Sequence, residues 1–100
     1  MTDRNYELVV TAPATRAIEK SLPETVAFAV IDFITGPLLD NPRRVGAPLR
    51  GELEGIWSVR RGTYQVRYRI DDENREVAVL RIGHRGDVYR SRLGRSTARV

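Results

Sequence analysis

The sequence predicts an α+β domain: a small, mostly antiparallel four-stranded sheet with two helices packed on one face. The predicted order is β-α-α-β-β-β plus a short C-terminal helix. Three observations predict it. Residues 12–35 carry apolar side chains at helical spacing, punctuated by Pro13, Pro23, Gly36 and Pro37. Residues 56–82 hold three β-rich runs separated by two turn signals. The chain has 100 residues, the length of one domain.

Taken in order, Tyr6 to Thr11 (YELVVT) reads as a strand, β-branched and apolar. Thr11 is a candidate helix cap, with Pro13 inside the first turn. Ala14, Ala17, Ile18 and Leu22 continue a helical stripe. Ser21 and Pro23 restart a second helix that runs to Thr35 and is stopped by Gly36 and Pro37. This helix is apolar on two sides: Val26, Val30 and Phe33 on one, Ala27, Ile31 and Ile34 on the other. Such a helix is deeply buried or covered by a partner.

Pro37 to Leu49, with three prolines and the pair Arg43–Arg44, reads as a loop. Ile56 to Arg61 is a strand, Gly62–Thr63 a hairpin turn and Tyr64 to Ile70 the returning arm. Alternation in that arm puts Tyr64, Val66, Tyr68 and Ile70 on the core face and Gln65, Arg67 and Arg69 on the opposite, basic face. Asp71 to Asn74 turns the chain into Glu76 to Ile82, whose apolar run VAVL suits a strand buried on both faces. Gly83, His84 and Arg85 end it, Asp87 to Leu93 forms a short helix, and residues 94–100 read as a frayed tail. The whole chain, 1–100, is one domain without repeats.

Composition narrows the chemistry. There is no cysteine, which removes disulfides, thiol nucleophiles and cysteine-zinc sites, and one histidine, which cannot build a multi-histidine metal site. No metal or cofactor is implied. No apolar run is long enough to span a membrane, and the N-terminus lacks the pattern of a signal peptide, so the expected compartment is the cytoplasm. The net charge of +4 is unevenly spread. Residues 1–42 hold three bases and six acids; residues 43–100 hold fourteen bases, all arginine, and seven acids. Arginine grips phosphate with two parallel hydrogen bonds, so a basic C-terminal half points to a nucleic-acid or phosphate partner. A solvated basic face is the alternative.

The run from Leu49 to Tyr89 resembles the RelE/ParE superfamily of bacterial toxins, most closely the RelE branch. The resemblance rests on Leu49 and Leu53 before Gly55, the hairpin Trp57 to Tyr64, and Ile82–Gly83–His84–Arg85 followed by Tyr89. It implies the toxin of a type II toxin–antitoxin system, a ribosome-dependent endoribonuclease that cuts mRNA in the A site without a metal. The ribose 2′-hydroxyl attacks the adjacent phosphate, leaving a 2′,3′-cyclic phosphate and a 5′-hydroxyl. Its implied partners are a cognate antitoxin and the ribosome with its mRNA; DNA is reached only indirectly, through the antitoxin.

Arg85 matches the family's post-strand arginine, and Tyr89 matches the tyrosine assigned to base work or stacking. Arg60 and Arg67 supply further phosphate contacts, and His84, the side chain whose ordinary pKa lies near neutrality, is a natural acid or base. Arg60, Arg67, His84, Arg85 and Tyr89 are thus the expected catalytic set. Arg43, Arg44, Arg61 and Gln65 are the expected RNA contacts. Two departures weaken the match. Gln65 stands where the family carries an arginine, and Ile56 and Ser58 replace a lysine pair. They keep two alternatives open: a ParE-like, non-enzymatic inhibitor of DNA gyrase, and a weakened toxin that acts mainly by binding antitoxin.

Overall fold

The computed structural model of the chain describes residues 6–84. The α+β architecture is as expected, but the sheet has five strands, not four. They are β1 (Glu7–Val10), β2 (Ala47–Pro48), β3 (Trp57–Arg61), β4 (Tyr64–Asp71) and β5 (Glu76–His84), in the spatial order β1-β5-β4-β3-β2. β1 runs parallel to β5, in the register Glu7↔Glu76 to Val10↔Val79, and all other pairings are antiparallel. The extra strand, β2, is two residues long and lies at the edge, where Pro48 costs no ladder hydrogen bond.

The first helix begins as α1 (Ala12–Arg16) and continues as a π turn over Ala17–Ser21, where Leu22 N–H donates to the Ala17 carbonyl. Thr11 occupies the N-cap position, but its hydroxyl makes no cap bond. It donates instead to the carbonyls of Val79 (2.8 Å) and Leu80 (3.1 Å), tying the helix start to β5. The second helix, α2, spans Glu24–Ile34 and buries Val30, Phe33 and Ile34. Ile31 is 37% exposed while Ile34 is buried, so its second apolar stripe is only partly covered, and Phe28 beside it is 61% exposed.

The segment from Pro37 to Leu49 is not a plain loop. It forms two single-turn helices, α3 (Pro37–Asp40) and α4 (Pro42–Val45), each opened by proline, followed by β2. Proline is tolerated at a first helical position because its missing N–H would be unpaired there anyway. Leu38, Leu39 and Pro42 are buried. The Tyr68 hydroxyl, fully buried, donates to the Pro42 carbonyl at 2.6 Å and anchors α4 over the sheet. Burial pushes the Tyr68 hydroxyl pKa up to about 12.

One core sits between the helices and one sheet face. Tyr6, Ala14, Val30, Phe33, Ile34, Leu38 and Leu39 pack on Val59, Tyr64, Val66, Tyr68, Val77 and Val79. β5 is not buried on both faces: Val77 and Val79 are buried, while Ala78 and Leu80 are half-buried. The β3–β4 hairpin closes through two residues, with Gly62 at φ 57° in the first central position. That is the II′ pattern, in which glycine supplies the positive φ.

Tyr6, Arg43 and Asp72 join the N-terminal strand, α4 and the β4–β5 turn. Arg43 grips Asp72 with both nitrogens, at 2.6 and 3.2 Å, and Tyr6 donates to the same carboxylate at 2.7 Å. The hydrogen bonds from Arg43 and then Tyr6 lower the Asp72 pKa to about 2. A depressed carboxylate stabilises the fold above its unfolded pKa, near 4, and that contribution disappears as pH falls through the folded value. Asp72→Asn is therefore expected to lower the melting temperature at pH 5. The gap from wild type should narrow as pH falls and close only below pH 2; a gap that persists there would assign the effect to neutral packing.

Candidate nucleic-acid interface

The sheet face opposite the helices carries the basic residues, and the strand register shows which. Cross-strand partners share a face. Arg60 pairs with Gln65 and Gln65 with Gly83, which forms one row across β3, β4 and β5. Ser58 pairs with Arg67 and Arg67 with Arg81, which forms the next. Arg69, opposite Ala78, extends the face. Arg60, Arg69, Arg81 and Gly83 are exposed, and Arg67 and Gln65 half-buried.

The centre of this face is neutral. Gln65 Nε2 donates to Ser58 Oγ at 2.7 Å, so two of the three residues that depart from the family pattern are bonded to one another. Around them stand Arg60, Arg67 and Arg81. Arg67 and Arg81 lie directly opposite each other, an arrangement that is destabilising for like charges unless an anion intervenes. Among the described residues the ion pair that forms is Arg43–Asp72, and neither Arg67 nor Arg81 has a carboxylate partner. No aromatic ring lies on this face among the described residues: Trp57, Tyr64 and Tyr68 all point to the core side.

A β-bulge decides the membership of the site. Arg67 pairs with Arg81 but Tyr68 with Val79, so Leu80 is an extra residue in β5. A bulge reverses the alternation beyond it. Val77 and Val79 point to the core before it; Ile82 and His84 point there after it. Arg81 and Gly83 are thereby delivered to the open face.

His84 is the correction this brings. Its partner is Tyr64, on the helix side, and not the arginine row with which the sequence reading grouped it. Its Nδ1 is buried and has no hydrogen-bond partner among the described residues. Arg61, the other partner of Tyr64, also leaves the basic face; its guanidinium lies 4.6 Å over the Phe33 ring. Arg61 borders an open groove of about 620 Å³ between α2 and the hairpin tip, lined also by Val26, Phe33, Gly62 and Tyr64 among others.

Arg43 is committed to Asp72 and Tyr6 and is not a free loop cation. Arg44 is exposed at the end of α4. Arg85, Tyr89, the expected helix over 87–93 and the expected frayed tail lie outside the described residues. Arg81 is the residue sequence reasoning missed; strict alternation through VAVL would have sent it to the core side. No described helix is long and apolar enough to cross a membrane.

An open arginine-rimmed sheet face backed by helices defines a small α+β domain suited to a phosphate-bearing partner. Comparison with known proteins places it more closely. Residues 10–89 match the family model of the ParE toxin of type II toxin–antitoxin systems. The chain is 47% identical to Toxin RelE of Mycobacterium tuberculosis over 88 residues, covering 88% of this chain and 90% of that protein. It is 49% identical to Toxin RelG of the same organism over 85 residues, covering 85% and 97%. The crystal structure of the toxin–antitoxin complex RelBE2 from M. tuberculosis contains a chain 47% identical to this one. That chain superposes with a TM-score of 0.78, over 81% of this chain and 99% of its own length. The protein described here belongs to the RelE/ParE family of type II toxins.

Proposed function

We propose that this toxin is a ribosome-dependent endoribonuclease that cleaves mRNA in the A site, with a cognate antitoxin as its neutralising partner. The observation that carries the reading is the Arg67–Arg81 pair: two arginines at directly opposed register positions, with no carboxylate partner among the described residues. The similarity to proteins named RelE and RelG supports the enzymatic branch. The similarity to a chain solved as a toxin–antitoxin complex supports the antitoxin.

In the proposed reaction the ribose 2′-oxygen attacks phosphorus and the bond from phosphorus to the 5′-oxygen breaks. A base removes the 2′-hydroxyl proton and an acid protonates the leaving 5′-oxygen. The products are a 2′,3′-cyclic phosphate and a 5′-hydroxyl. Arg67 and Arg81 hold the charge that builds on the phosphate oxygens, with Arg60 at the neighbouring position and Arg85, the residue that follows His84 in sequence, as a further cation. His84 faces the opposite side of the sheet, so proton transfer is assigned to groups beyond it, Tyr89 first.

The test is inducible expression of the chain without antitoxin and mapping of mRNA 5′ ends. New 5′ ends within translated codons, lost in Arg85→Ala, are expected. Gln65→Arg is expected to raise cleavage, because it replaces a neutral hydrogen-bond donor beside Arg60 by a charged fork; one such contact is worth up to about 10²–10³ in rate. Growth arrest with intact mRNA and DNA-damage signals would instead identify gyrase as the target. No growth effect would leave antitoxin binding as the function.

A further inference from the structure

We propose that Gly83 is a clearance residue, keeping open a slot through which the sugar–phosphate backbone of single-stranded RNA crosses the sheet. The inference rests on the ribonuclease reading and adds a positioning residue to it.

Glycine inside a strand weakens it, and it persists there for one of three reasons. The first is a backbone conformation closed to other residues. Positive φ is found at Gly51, Gly55 and Gly62, not at Gly83. The second is close packing within the chain. A Cβ built on Gly83 meets no atom within 4 Å among the described residues, whereas one on Gly46 strikes the Tyr68 ring and the Ser58 carbonyl. The third reason is close approach of a ligand, and no described residue competes with one for the space above Gly83.

The surroundings specify what approaches. Gly83 is exposed and completes the row Arg60–Gln65–Gly83, with Arg81 two residues back on the same face and Arg67 diagonal to it. The slot therefore has a flat floor, a hydrogen-bonding wall at Gln65 and cations at its edge. Because no aromatic ring shares this face among the described residues, base stacking is not what it offers there. A sugar–phosphate backbone fits: it needs close approach to the strand and a guanidinium for each phosphate.

The experiment compares wild type, Gly83→Ala and Gly83→Val, with Ala78→Val as a control further along the same strand and face. Cleavage of mRNA on programmed ribosomes is measured beside thermal melting of the purified chain. Gly83→Ala should lose about tenfold and Gly83→Val about a hundredfold in cleavage. Melting temperature should hold or rise by a few degrees, since a side chain replaces glycine in a strand. The control should cleave normally. Wild-type cleavage by Gly83→Val overturns the inference, and so does a fall in its melting temperature, which would mean that the chain itself fills the space. Should wild type not cleave, the ribonuclease reading fails separately. Fluorescence anisotropy with a single-stranded oligoribonucleotide then decides the slot, by whether Gly83→Val binds more weakly than wild type.

Discussion

Gly46→Ala is expected to destabilise the fold by about 2–3 kcal/mol, a fall of roughly 10–20 °C in melting temperature. The backbone at Gly46, φ −137° and ψ −167°, is one any residue adopts, so the cost is not conformational. It is steric. The new Cβ would overlap the Tyr68 hydroxyl, lie 2.7 Å from the Ser58 carbonyl oxygen and 3.2 Å from the Tyr68 ring. The hydroxyl cannot swing aside, because the tyrosine is fully buried, stacks on Trp57 at 6.4 Å and donates to Pro42. The Ser58 carbonyl belongs to the β3 backbone and cannot move without disturbing its ladder. Tyr68→Phe should relieve one of the three overlaps while losing the Pro42 hydrogen bond, itself worth about 1–3 kcal/mol when a buried acceptor is left unpaired. The double variant is thus expected to be less unstable than the two single effects added together. Additive losses, measured by denaturant titration, would show that Gly46 and Tyr68 do not meet.

The same contact explains what the sequence did and did not reveal about the fold. Tyr68 was legible as a core residue from the alternation of β4, and the hairpin from Gly62 between two β-rich runs. Its hydrogen-bond partner was not legible. Single-turn helices led by proline carry no helical periodicity, and a two-residue edge strand carries no alternation, so the segment from Pro37 to Leu49 read as loop. It is ordered by what it touches: Pro42 by Tyr68, and Arg43 by Asp72 and Tyr6. Thr11 is a similar case, its hydroxyl drawn from capping a helix to the carbonyls of a strand 68 residues away. The basic face was legible in part. Arg60, Gln65 and Arg67 follow from simple alternation in a two-residue hairpin. Arg81 and His84 do not, because the bulge at Leu80 reverses the faces of β5, and nothing in the run VAVLRIGH marks where an extra residue is accommodated.

Arg67→Ala and Arg81→Ala are each expected to cut mRNA cleavage by about 10²–10³ while leaving the fold as stable or slightly more so. The opposite signs follow from one geometry. In the free protein the two arginines stand opposite each other on adjacent strands with no carboxylate partner among the described residues, and removing either relieves the repulsion. In the proposed complex with RNA the same two groups converge on developing phosphate charge. Stability is therefore given up at a place where binding recovers it, the usual trade at a functional surface. Arg67→Lys should restore the charge but not the planar fork, and so recover only part of the rate. Each alanine variant should also flatten the salt dependence of RNA binding, by about 0.7 in slope per lost phosphate contact on a single strand. Arg44→Ala, exposed at the far end of α4, serves as a measure of general basicity. If it weakened cleavage as much as Arg67→Ala, the effect would belong to net charge and the opposed pair would have no special part. If both face variants melted well below wild type, the two arginines would be structural, held by contacts other than those the register implies. The proposed site is supported only where cleavage falls, melting does not, and the loss is confined to the residues that the bulge brings onto one face.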